Sequence, residues 1–230
     1  PKSAKIYKEL WEHGKGVSPL LENSLAVQEK VQEAFKGEDI TVEMAMRYKN
    51  PSMESVLEKM RLANYDQLII LPLFPQYASA SSGSAIEKAM QIIRKWWVIP
   101  EIKIINQFWD NEGYIDSIVE RAKEFDLASF DHILFSYHGL PERQVDKVYE
   151  GKDLCGDQPC ETEVNEKNKF CYKATSFATT RLIAAKLGIT ESHYTVCFQS
   201  RLDKKWLTPF SDKIVEEWAK KGAKNLLVFS

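Results

Sequence analysis

Ser136-Tyr137-His138-Gly139-Leu140-Pro141 is the stretch whose residue types and order promise chemistry most directly. The apolar run Ile133-Leu134-Phe135 delivers His138 to a strand end, the edge at which open parallel sheets bind ligands. An imidazole in that place can accept a proton near neutrality or hold a metal ion. Gly139 permits close backbone approach, and Leu140-Pro141 stops the strand. The alternative role for His138 is to pin its own loop. His13, His132 and His193 stand in contexts that suggest no chemistry.

A second candidate is Leu71-Pro72-Leu73-Phe74-Pro75-Gln76-Tyr77, which runs into Ser79, Ser81, Ser82, Gly83 and Ser84. A hydroxyl-rich loop that opens a helix can receive an anion, or can be an ordinary capped turn. Neither Gly-x-Gly-x-x-Gly nor a P-loop lysine accompanies it, which argues against a nucleotide. Arg47-Tyr48 and Gln199-Ser200-Arg201 occupy two further strand ends. Each arginine suits a carboxylate in bidentate geometry, or a solvated surface. Parallel topology would collect Arg47, Tyr48, Gln76, Tyr77, His138, Gln199 and Ser200 along one edge.

Three of the four cysteines, Cys155, Cys160 and Cys171, lie within or just past one polar segment, and Cys197 follows much later. Cys155-x4-Cys160-x10-Cys171 contains no Cys-x2-Cys pair, so it is not a zinc-finger spacing. Thiols gathered in this way hold a metal or a cluster more often than a disulfide. Inert reduced thiols, a zinc site and a disulfide remain open alternatives.

These residues must be positioned by elements, and the chain alternates helix-period and strand-like runs. The pattern predicts helices over Lys2–Trp11, from Ser18-Pro19 to Gly37, from Pro51-Ser52 through Met60, and over Ser84–Trp97, Tyr114–Phe125, Tyr172–Leu187 and Ser211–Lys221. Strands are expected at Ile40–Met46, Leu68–Phe74, Ile102–Phe108, His132–Tyr137, Tyr194–Phe198 and Asn225–Phe229. Continuous apolar strands joined by short helical connections imply parallel sheets and right-handed crossovers. The fold class is therefore α/β. A boundary is expected near residues 126–130, giving domains 1–127 and 128–230. The polar segment 141–169 is too long for an ordinary connection, and loops of that length are functional or mobile.

Composition agrees with an ordinary globular protein. With 31 Lys+Arg against 33 Asp+Glu, the net charge is −2, and hydrophobic residues make up 44% of the 230. The near-neutral balance speaks against a nucleic-acid partner. No apolar run reaches the roughly 18–20 residues a membrane-crossing helix needs. A cytoplasmic protein without a secretory leader is the expectation.

Pro75-Gln76-Tyr77 with Ser79 and Gly83-Ser84, then Ser136–Pro141, then Gln199-Ser200-Arg201 with Trp206-Leu207, resemble the ferrochelatase family in order and spacing over nearly the whole chain. The resemblance implies a lyase that inserts ferrous iron, Fe2+, into a porphyrin in haem biosynthesis. It implies two Rossmann-like, chelatase-like lobes with parallel sheets and a cleft between them, the second carrying a cysteine-containing insertion over 141–171. His138 matches the family's metal-binding or proton-abstracting histidine, while Arg47, Tyr48, Gln76, Tyr77, Gln199, Ser200 and Trp206 match substrate-binding positions. Gln76 and Tyr77 would shape the pocket rather than move protons.

Measured against the family, the chain is expected to lack a first strand and a C-terminal segment bearing a glutamate partner for His138. Some members carry a 2Fe-2S cluster; here its thiolates would be Cys155, Cys160, Cys171 and Cys197, since Ser176 stands where related motifs have a cysteine. A hydrophobic substrate makes peripheral membrane contact the natural companion expectation. A porphyrin-binding module without turnover, or a chelatase for another tetrapyrrole, are the competing readings. Protoporphyrin versus coproporphyrin and the oligomeric state are open at this level.

Overall fold

A computed structural model describes residues 18–149 and 154–230. The helix expected over Lys2–Trp11, and His13, lie outside the described residues. Contacts divide the chain into two compact units. The first takes residues up to Leu68 together with Glu87–Ile102; the second takes Ile69–Ile86 and Lys103–Ser230. The connection at 126–130 falls inside the second unit, because the helix before it packs onto a helix well after it.

In the first unit, α1 (Pro19–Ala34) begins with proline in its first turn, where a missing N–H costs nothing. The run Ile40–Met46 alternates as a strand should, yet it forms no strand ladder. Two side chains of α1 satisfy its backbone instead. Gln28 Nε2 donates to the Val42 carbonyl at 2.9 Å. Gln32 donates to the Ile40 carbonyl at 2.9 Å and accepts from the Val42 N–H at 2.8 Å. Helix α2 (Met53–Ala63) is capped by Ser52, whose hydroxyl accepts from the Ser55 N–H at 3.2 Å, and it buries Val56 and Leu57.

Strands β1 (Gln67–Ile70) and β2 (Glu101–Ile104) form a two-stranded sheet. Its bonds run from Glu101 N–H to Asp66 and from Ile105 N–H to Ile70, each 3.0 Å, so the strands are parallel. The expected strand Leu68–Phe74 is therefore shorter and less covered than its apolar run suggests. Pro72 has no N–H to extend the ladder, and Ile69, Leu71, Leu73 and Phe74 are exposed. A π-turn at Ser79–Gly83 leads into α3 (Ser84–Ile93), which stops before Trp96 and Trp97.

The second unit is built on β3 (His132–His138), with β4 (Tyr194–Gln199) on one side and β5 (Leu226–Phe229) on the other, all parallel. Alternation along β3 gives each face its own partner. Ile133 and Phe135 join Ile115 of α4 (Glu112–Ala122) and Ile183 of α6 (Tyr172–Leu187) in one core. His132 and Ser136 instead meet α7 (Ser211–Lys220), through a 3.8 Å stack on Trp218 and a 2.8 Å bond to Ser211. Helices thus cover both faces, which explains why β3 reads as an uninterrupted buried run. A second core gathers Val145, at the end of the one-turn α5 (Glu142–Val145), with Tyr149, Ala174, Val196, Phe198, Leu207 and three cysteines. Burying a side chain such as Phe198 is worth roughly 1.5–3 kcal/mol.

Candidate functional site

His138 is the last residue of β3, exposed at the strand's carboxyl end and in register with Gln199 of β4. The backbone just beyond is tightly tied. Gly139 N–H donates to the Gln199 carbonyl at 2.7 Å, and Leu207 N–H donates to the Leu140 carbonyl at 2.9 Å. Pro141 and Trp206 form an antiparallel bridge. A methyl group on Gly139 would lie 2.7 Å from the Gln199 oxygen and 3.3 Å from Trp206 Cε3. Only glycine admits this approach. Ser200 adopts the left-handed conformation, φ +66°, which turns the chain sharply out of β4. His138, Gln199, Ser200 and Trp206 are therefore brought to one edge by a local backbone knot.

Tyr172, the first residue of α6, packs with Tyr137 and Leu140 against the cysteine-containing core. Burial pushes its phenol up to about 12. The hydroxyl therefore stays protonated at any physiological pH. Its neighbour Tyr137 buries its hydroxyl against Thr180 of α6 at 2.9 Å, and desolvation pushes that phenol far up as well.

Gln76 and Tyr77 serve as internal supports. Gln76 is buried and donates to the Thr179 hydroxyl at 2.9 Å, which in turn donates to the Trp109 carbonyl at 3.1 Å. A side chain so committed shapes its surroundings and has no free proton to trade. Tyr77 packs edge-on against Phe170 at 6.0 Å, and a Cβ on Gly83 would meet its hydroxyl at 2.8 Å. The sequence reading missed Tyr172, Thr179 and Thr180. The available signal was the spacing of Thr175, Ser176, Thr179 and Thr180, which puts four hydroxyls on one buried face of a helix.

Arg47 and Tyr48 belong to the first unit, where the guanidinium lies 4.7 Å from the Tyr48 ring centroid and the ring itself is exposed. Arg201 is not available to a substrate carboxylate. It forms a two-pronged ion pair with Asp212 and covers the Phe210 ring at 4.1 Å.

The cysteines separate into three and one. The sulfurs of Cys155, Cys160 and Cys171 form a nearly equilateral triangle with sides of 3.5–3.7 Å, all buried. Cys197 is not a member, contrary to the four-thiolate expectation. It alternates to the opposite face of β4 from Val196 and Phe198, and its sulfur accepts from Ser211 of α7 at 3.3 Å. Within the triangle, hydrogen bonds from Cys155 and Cys171 hold the Cys160 thiol far below the ordinary range, while Cys155 is pushed up by the same contacts.

Three mutually touching sulfurs do not fit a 2Fe-2S core. That core takes four thiolates, two on each iron, so one of any three must stand across the cluster from the others.

The family model for ferrochelatase matches residues 1–230. The ferrochelatase of Legionella pneumophila (strain Corby) is 42% identical over 229 residues, covering 99% of this chain and 66% of that protein. The ferrochelatase of Coxiella burnetii (strain Dugway 5J108-111) is 41% identical over 230 residues, covering 99% and 63%. The chain thus spans just under two thirds of the length of these relatives. Among solved structures, SirB from Bacillus subtilis with Fe3+ superposes with a TM-score of 0.61 at 11% identity, over 93% of this chain and 72% of that one, which shows a shared fold. Family match, relatives and the parallel α/β architecture agree: the chain belongs to the ferrochelatase family.

Proposed function

We propose that this protein inserts ferrous iron into a porphyrin, with His138 as the group that acts on the reacting atoms. The observation that carries the reading is His138 itself, exposed at the carboxyl end of a buried parallel strand. Gln199 stands beside it in register, and Trp206 is held over Gly139. Membership of the ferrochelatase family supplies the reaction class.

Metallation exchanges two pyrrole protons for one Fe2+ and strips water from the ion. An imidazole can accept one of those protons or hold the ion. Trp206 offers flat apolar area to a macrocycle. The braced pair Gln76–Thr179 and the committed Tyr137 hydroxyl give the edge a rigid support, which favours a bent ring approaching the transition state over a relaxed one. Arg47 and Tyr48, in the first unit, are proposed as further substrate-binding residues because their motif resembles the family's.

Cytoplasmic placement with peripheral membrane contact extends the same proposal, because a flat hydrophobic substrate partitions into bilayers. Among the described residues, no helix is long and apolar enough to cross a membrane.

The test is anaerobic incubation of the protein with Fe2+ and a porphyrin, following the loss of free-base fluorescence. Catalytic turnover supports the reading. Tight porphyrin binding with no metallation by Fe2+ would replace it with a carrier role.

A further inference from the structure

The thiol triangle demands an occupant of its own, independent of the reaction assigned to His138. Four-coordinate thiolate sites on zinc have metal–sulfur bonds near 2.3 Å, and tetrahedral angles then place sulfurs about 3.8 Å apart. The sides of 3.5–3.7 Å match three vertices of one such tetrahedron. We infer that Cys155, Cys160 and Cys171 bind a single zinc ion, leaving the fourth position to a ligand that is not a cysteine.

The surroundings suit that charge. Three thiolates on a divalent ion carry one net negative charge. Cys171 is the N-cap of the 16-residue α6, where helix N–H groups favour negative sulfur. The Lys173 ammonium, paired with Glu161 at 2.6 Å, adds positive potential at Cys160. Around the sulfurs lies the orienting shell that metal sites require. The Tyr149 hydroxyl lies 3.0 Å from Cys160, the Asn168 amide donates to the same sulfur at 3.9 Å, and Asp146 accepts from the Cys155 N–H at 2.9 Å. Asn168 is wholly buried and folds its loop by donating to the Glu163 carbonyl at 3.0 Å and accepting from the Asn165 N–H at 2.6 Å.

The ion would staple residues 155–160 to the start of α6. Tyr172, next to Cys171, and Leu140, two residues after His138, pack against the core that the cysteines share with Leu207, the neighbour of Trp206. The long polar segment thereby becomes a support for the histidine edge.

The test measures metal and acid-labile sulfide in protein produced in medium containing both iron and zinc, and then titrates zinc against a chromogenic chelator. One zinc per chain and no labile sulfide are expected. Cys160→Ser should lose the ion, whereas Cys197→Ser and His138→Ala should keep it. Tyr149→Phe, which preserves packing if Cys160→Ser misfolds, should weaken zinc about 10-fold or more. Cobalt substitution should give sulfur-to-metal charge transfer that Cys171→Ser abolishes. Iron with equimolar sulfide would overturn the inference in favour of a cluster. Zinc lost in His138→Ala, retained in Cys160→Ser, or never bound would overturn it equally.

Discussion

Substituting Gly139 by alanine probes the knot that aligns His138. The added methyl would sit 2.7 Å from the Gln199 carbonyl oxygen, closer than the two atoms can approach, with Trp206 Cε3 at 3.3 Å behind it. Neither obstacle is the loose end of a flexible chain; the oxygen belongs to the backbone, in the bond that Gly139 N–H itself makes at 2.7 Å. Relief requires the ends of β3 and β4 to part. Overpacking of this kind costs about 1–3 kcal/mol, and weakening the Gly139–Gln199 bond adds about 0.5–1.5 kcal/mol. A total near 2–4 kcal/mol corresponds to a fall in Tm of roughly 5–15 °C for a chain of this size. Because the displacement falls beside His138, metallation should drop about tenfold or more, in line with the cost of misplacing reacting groups. Thermal unfolding and the fluorescence assay, run on the same preparation, read both effects. A variant as stable and as active as the parent would refute the argument that close approach at Gly139 sets the site.

Other consequences are independent of that contact. Gln76→Ala leaves Thr179 without its buried donor and should cost about 1–3 kcal/mol in urea unfolding; a neutral result would mean the brace is not formed. His132 is buried against Trp218 with Nδ1 unpartnered, and burial lowers its pKa below the ordinary value. The unfolded chain then binds more protons than the folded one below about pH 6.5, so stability is full above that pH and falls as the solution is acidified. His132→Phe should flatten this slope in unfolding curves between pH 5 and 7, and an unchanged slope would assign the dependence to another group.

Periodicity located the elements after residue 130 well. α6 is read at its observed bounds, Tyr172–Leu187, and β3, β4 and α7 within a residue or so of theirs. In β3 and β4 the apolar runs are the buried ones, so local sequence and tertiary packing agree there. Ile40–Met46 failed because alternation reports a buried face and says nothing about pairing, and the amides of Gln28 and Gln32 took the place of a neighbouring strand. Leu68–Phe74 was overread because exposed apolar residues look like covered ones in a sequence.

The candidate site followed the same rule. His138, Gln199 and Ser200 were legible because strand ends in a parallel sheet share an edge. Cys197 was misgrouped because alternation tells which neighbours share its face, while only the fold tells which face meets the cysteine segment. The hydroxyl supports on α6 were hidden because Thr and Ser in a helix read as solvent-facing until a buried partner such as Gln76 or Tyr137 is in place.

The imidazole at position 138 carries the proposed chemistry. Replacing it by alanine touches no packed core, since the side chain is exposed, so fold and porphyrin binding should survive. The decisive quantity is single-turnover Fe2+ insertion in porphyrin-saturated His138→Ala protein: a loss of about 100-fold or more is expected for removing a group that binds the ion or takes the proton. Parent-like insertion by that variant would contradict the account.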